Sequence, residues 1–144
     1  MKKFLNLILI TALFSLNACA DKKEVITFAQ LPMPAQEIVK QNFDVATISY
    51  VMKERDWSVE YEVRFNNGNE VDFDSEGQLK KVDCQLTQVP DALIPQPVLT
   101  YVKTNFPGAF IQEWGRDDRG YKAELNNGLE LKFDSSYRFS YIDD

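Results

Sequence analysis

Residues 61–83 and 121–143 of this chain follow one pattern: YEVRFNNGNEVDFDSEGQLKKVD over YKAELNNGLELKFDSSYRFSYID. Nine of the 23 aligned positions are identical, among them Asn66-Asn67-Gly68 with Asn126-Asn127-Gly128 and Phe73-Asp74-Ser75 with Phe133-Asp134-Ser135. Upstream, Ile38-Val39-Lys40-Gln41-Asn42-Phe43 matches Tyr101-Val102-Lys103-Thr104-Asn105-Phe106, with Pro34 above Pro97. The offset between the copies is 63 in the upstream block and 60 in the downstream one, so the loop around Lys53 to Trp57 differs in length. Duplication at this period means that whatever one copy folds into, the other should fold into as well.

Each copy opens with a helical pattern. Pro34 and Pro97 suit a first helical turn, where a fixed φ and a missing N–H cost nothing. Apolar residues at Ala35, Ile38, Val39 and Phe43, and at Val98, Tyr101, Val102 and Phe106, then recur at helical spacing. After that the period falls to two. Trp57, Val59, Tyr61, Val63 and Phe65 alternate with polar residues, and Asn67-Gly68 is a strong hairpin signal. Val71 and Phe73 continue the pattern, and Ser75-Glu76-Gly77 turns the chain into a strand through Leu79 and Val82. Tyr121 to Leu125, Leu129 to Phe133 and Tyr137 to Ile142 repeat it, with weaker strands expected near 46–52 and 109–114. The expected architecture is α+β: two tandem units, residues 31–86 and 87–144, each with one helix covering the apolar side of an antiparallel sheet of about four strands.

Before the duplication, Lys2 and Lys3 precede an apolar run, Phe4 to Leu16, that ends in small residues. This is the order of a secretory signal, expected to occupy residues 1–18. Leu16-Asn17-Ala18-Cys19 resembles a lipobox, which makes Cys19 the expected lipid-attachment residue and residues 19–30 a tether. The alternative is ordinary cleavage at Ala18-Cys19-Ala20, which would release a secreted domain. The expected location is therefore the cell envelope, lipid-anchored on the periplasmic side or at the cell surface.

Loss of residues 1–18 removes two lysines, leaving 14 basic against 22 acidic residues and a net charge of −8. Such a chain repels phosphate backbones, so nucleic acid is an unsuitable partner. With Cys19 lipidated, Cys84 has no disulfide partner, and alternation places it beside Val82 and Leu86 as a buried, inert thiol. The chain contains no histidine. That removes the commonest general base and zinc ligand, and no cofactor is implied. The carboxylate pairs Glu60 with Glu62 and Asp72 with Asp74 read as a solvated face, so the chain is not expected to be an enzyme.

The tandem pattern of a helix ending in Asn-Phe, an Asn-Asn-Gly hairpin and a Phe-Asp-Ser turn, behind a lipoprotein signal, resembles the PepSY-like, beta-lactamase-inhibitor-like domains of secreted bacterial proteins. The resemblance implies helix-on-sheet units whose sheets form one broad surface. Its motifs are structural turns, so it carries no activity across.

Function is therefore expected on the polar sheet face: Glu60, Glu62, Arg64, Glu70 and Asp72 in the first copy, and Lys122, Glu124, Glu130 and Lys132 in the second. Trp114 is a candidate aromatic anchor. The expected role is to hold or inhibit an envelope protein or peptide. The alternative is a cation or small-ligand sensor, to which the oxygen-rich run Asp72 to Asp83 belongs as an approximate calcium loop. A hairpin turn is the favoured reading of that run, since position 12 is Asp where a bidentate Glu is usual and no helices flank it, and no metal ligand is assigned.

Overall fold

The computed structural model describes residues 22–143. The expected signal peptide and Cys19 lie outside the described residues. Nine strands follow one another in space in chain order, forming a single antiparallel meander: β1 (Lys23–Ile26), β2 (Ile48–Arg55), β3 (Val59–Phe65), β4 (Glu70–Phe73), β5 (Leu79–Asp83), β6 (Ile111–Asp117), β7 (Gly120–Leu125), β8 (Glu130–Asp134) and β9 (Phe139–Asp143). Helix α1 (Met33–Asn42) lies between β1 and β2 in the chain, and α2 (Gln96–Asn105) between β5 and β6.

This corrects the expected pair of four-stranded units. β5 pairs with β6 through Lys81 with Gly115, Val82 with Trp114 and Asp83 with Glu113, so the sheet runs unbroken from one copy into the other. β1, in the segment read as a tether, adds a ninth strand against β2. Two sheets side by side would each leave unpaired edge groups at the join, whereas a shared ladder satisfies them. The molecule is mostly sheet, with two helices of ten residues each.

Both helices start behind a proline and end on the same device. Pro32 and Pro95 occupy the N-cap positions, with Pro34 and Pro97 in the first turn. At the other end the Asn42 and Asn105 side-chain amides donate to the Ile38 and Tyr101 carbonyls, each at 2.9 Å, closing the last turn. The hairpins are set by Gly68 and Gly128 at φ +90° and +86°, conformations that side-chain-bearing residues avoid.

Both helices lie on one side of the sheet. Ala35 and Val39 of α1 and Val98 and Val102 of α2 join Val63, Phe73, Val82, Leu125 and Leu131 of the strands in one buried core. An aromatic group around Phe133 belongs to it. Tyr101 and Trp114 meet the Phe133 ring edge-on, 5.8 and 6.2 Å between centroids, and Tyr101 stacks on Phe139 at 4.5 Å. Cys84 is buried, and burial pushes its thiol up to about 11, away from reactivity.

Three side chains depart from their expected positions. Trp57, taken as core, sits in the β2–β3 turn and is 98% exposed. Leu86 is exposed because β5 ends at Asp83 and Gln85 takes φ +55°, which breaks the alternation. Trp114, the candidate anchor, is 4% exposed on the helix side of the sheet, stacked on Tyr121. A register shift between Ile111 and Glu113 turns Trp114 inward.

Candidate functional site on the open sheet face

Because the helices cover one face only, the other carries the polar partners of every strand. Cross-strand pairing arranges them in rows. One row runs Val25, Met52, Glu62, Asp72, Lys81, Gly115, Lys122, Lys132, Tyr141 from β1 to β9. The adjacent row, from β2, runs Tyr50, Arg64, Glu70, Asp83, Glu113, Glu124, Glu130, Asp143, and is acidic throughout β4 to β9.

In the second half the two rows interlock. Lys132 lies 2.6 Å from both Asp117 and Glu130, and 3.7 Å from Asp143. Hydrogen bonds to Asp117 and Glu130 hold its ammonium well above the usual lysine range, and the same contact to Lys132 depresses the Asp117 and Glu130 carboxyls. Lys122 stands 2.9 Å from the buried Glu113 and 3.6 Å from Glu130, and the Glu113 contact raises its pKa. Glu124 accepts a 3.0 Å hydrogen bond from Gln112.

The first half is arranged differently. Arg64 pairs with Glu62 and Glu70, and Tyr50 donates a 2.8 Å hydrogen bond to Glu62. Lys80 takes Glu60 at 2.5 Å and lowers its pKa. Among the described residues the Asp72 carboxylate has neither an ion pair nor a hydrogen bond. Burial, then the facing Glu62 charge, pushes its carboxyl up to about 6. Carboxylate oxygens of Glu62, Glu70 and Asp72 lie within 4.8 Å of one another. Asp72 and Glu62 also line a hollow of about 100 Å³ with Glu54, Glu60, Met52 and Tyr61. Beside it, Glu54 and Glu60 line a second hollow with Asp56, Trp57 and Ser58.

The structure thus brings together Glu62, Arg64, Glu70 and Asp72 as one cluster and Lys122, Glu130 and Lys132 as another. Glu60 and Glu124 stand beside them in separate pairs, and Trp114 is on the opposite face. Asp72 to Asp83 is a β-hairpin whose ends lie on β4 and β5. Its turn is tied by Asp74, which accepts from the Glu76 and Gln78 N–H groups at 3.1 and 2.9 Å. Sequence reasoning missed Tyr50, Glu54, Lys81, Asp83, Glu113 and Asp117. The alternation of Lys81 and Asp83 with Val82 was available as a signal; the bulge before Glu113 was not.

The family model described as "Putative beta-lactamase-inhibitor-like, PepSY-like" matches residues 59–140. No curated protein sequence matches the chain. Among solved structures, a protein of Bacteroides thetaiotaomicron described as a "putative calcium-regulated periplasmic protein" is 40% identical at a TM-score of 0.81, covering 87% of this chain and 99% of its own. A Bacteroides vulgatus protein described as a "putative periplasmic protein" is 36% identical at a TM-score of 0.81 with the same coverage. A second Bacteroides vulgatus protein, described as a "putative periplasmic protein of unknown function", is 31% identical at 0.78, covering 85% of this chain and 99% of its own. With more than half of its length under the family model and relatives of this identity aligned over nearly their whole chains, the protein belongs to the PepSY-like, beta-lactamase-inhibitor-like family.

Proposed function

We propose that the protein is a non-catalytic binding module of the cell envelope, and that its open sheet face receives a basic segment of a protein or peptide. The observation that carries this reading is the unpartnered Asp72 in its acidic hollow. At the corresponding place in the second half, Lys132 fills the space and gathers the surrounding carboxylates. A lysine or arginine supplied by a partner would do in the first half what Lys132 does in the second. Charge complementarity of this kind steers encounter and sets specificity. Periplasmic location follows the relatives, and the lipid anchor at Cys19 belongs to the same proposal. Cys19→Ser should release the protein from membranes; continued attachment rejects the anchor.

The test of the face is titration with a pentalysine peptide. Binding should weaken with salt, and Asp72→Lys should abolish it without loss of fold, because it builds in the missing cation. Equal binding by the variant rejects the hollow as the site.

A second reading has one observation in its favour: three carboxylates, Glu62, Glu70 and Asp72, converge closely enough to share a hard cation. The name of the Bacteroides thetaiotaomicron relative accords with calcium there. Arg64 already occupies Glu62 and Glu70, so an ion would have to displace it. Calcium should then raise the melting temperature by mass action, and Arg64→Ala should strengthen that response.

A further inference from the structure

Short 3-10 turns, Phe28–Gln30 and Asp91–Leu93, lead into the two helices. From there the two segments run in step at an offset of 63, with Leu31 over Ile94, Ala35 over Val98, Val39 over Val102 and Lys40 over Lys103. Phe28, however, stands over Asp91. Ahead of α1 the Phe28 ring packs against the core, and Lys40 Nζ lies over it, 5.7 Å from the ring centroid. Ahead of α2 no ring is supplied. Asp91 faces Lys103 at 4.0 Å, and beneath them opens a cleft of about 120 Å³ walled by Val89, Ile94, Leu99, Val102, Ala109 and Ile111.

We propose that this cleft binds a phenyl ring carrying a carboxylate. The walls are mostly hydrocarbon, completed by Phe110 and by Gln88, which donates to Asp91 at 2.8 Å, and size selects a single ring: apolar cavities of about 150 Å³ hold one benzene. The ring would take the place that Phe28 fills in the first segment. Charge at the mouth selects the substituent. Lys103 is exposed, and its one ion pair among the described residues, to Asp91, is stretched. A carboxylate projecting from the ring would meet Lys103, and an adjacent ammonium, where the ligand has one, would meet Asp91. Free aromatic acids and the C-terminal phenylalanine of a peptide share this chemistry. The site lies on the helix side of the sheet and does not depend on the open face.

The test follows the methyl resonances of Val89, Ile94, Leu99, Val102 and Ile111 during titration with 3-phenylpropionate. Saturable shifts confined to those methyls are expected. Asp91→Phe, which installs the missing ring, should raise the melting temperature and abolish the shifts. Lys103→Met should weaken 3-phenylpropionate about tenfold, the scale of one charge-assisted contact, while leaving toluene binding unchanged. N-acetyl-glycyl-phenylalanine binding more tightly than 3-phenylpropionate assigns the site to peptide C-termini; weaker binding assigns it to free acids. Absence of saturable shifts, or equal binding of 3-phenylpropionate by wild type and Lys103→Met, overturns the proposal. Should Asp91→Phe not fold, the Lys103→Met titrations with the two ligands decide it.

Discussion

The cross-strand pair Glu62 and Asp72 on β3 and β4 and the pair Lys122 and Lys132 on β7 and β8 occupy matching places in the two copies, with charge inverted. Like charges directly opposite on a sheet are destabilising, yet the two halves meet the problem differently. Around Lys122 and Lys132 the chain supplies Glu113, Asp117, Glu130 and Asp143, so each cation is enclosed by anions. Around Glu62 and Asp72 it supplies Arg64, which reaches Glu62 but leaves Asp72 unpaired. The second half is electrostatically closed and the first is open. The two halves share their turns and core positions, but only the second supplies the counter-ions for its central pair.

The largest effects should fall where the halves agree. Phe73 and Phe133 are 0% and 3% exposed at matching positions. Truncation of either to alanine should cost about 3–5 kcal/mol in urea denaturation. Phe133→Ala should lie at the upper end, because it also removes edge contacts to Tyr101, Trp114 and Phe139. A loss below about 1 kcal/mol at either would show that the two copies do not share one core.

Next in size is the closed half. Lys132 is 12% exposed and bridges three carboxylates. Lys132→Met should destabilise by about 1–3 kcal/mol at neutral pH, since it leaves those anions facing one another. Unchanged stability would mean that the closed half is no better balanced than the open one.

Asp72 should behave in the opposite sense. Its carboxyl titrates at about 6 in the fold against 3.8 as a free side chain. The protonated form is therefore favoured by folding: the stability it contributes is fully present below about pH 4 and is lost as pH rises through about 6. Asp72→Asn, which cannot ionise, should gain about 1–3 kcal/mol over wild type at pH 8 and nothing at pH 4. Equal effects at the two pH values would remove Asp72 from the open site.

Much of this was legible before the fold was known. Prolines marked the helix starts, Asn-Asn-Gly the hairpins, and alternation put Glu62, Asp72, Lys122 and Lys132 on one face. Alternation says which way a side chain points but not which strand lies beside which, so the β5–β6 ladder and the single sheet were invisible. Bulges shift parity by one residue, which turned Trp114 inward and concealed Glu113. β1 is too short and too charged, as Lys23-Glu24-Val25-Ile26, to signal a strand by pattern. Asp72 was assigned to the right face, but its isolation depends on where Lys80, Lys81 and Arg64 reach, which spacing along the chain does not fix.

Trp57 gives the smallest expected effect on stability and a sharp one on binding. The place of Asp117, the residue that closes the second half by reaching Lys132, is held in the first half by Glu54, which pairs with Glu60 as Asp117 pairs with Gly120. Trp57 belongs to the β2–β3 turn, which is one residue longer than the β6–β7 turn, and its indole is 98% exposed beside Glu54 and Glu60 at the rim of the acidic hollow. With almost no buried surface to lose, Trp57→Ser should change stability by no more than about 0.5 kcal/mol. An exposed indole next to carboxylates is suited to a cation, through its ring face, by about 0.5–1 kcal/mol. Trp57→Ser should therefore weaken pentalysine binding roughly two- to fivefold while the melting curve stays in place. Trp57→Asp goes further: it adds a carboxylate beside Glu54 and Glu60, and should restore or exceed wild-type affinity at low salt. If both substitutions leave the titration unchanged, the β2–β3 turn is outside the binding surface, and the open half is confined to Asp72 and its immediate neighbours.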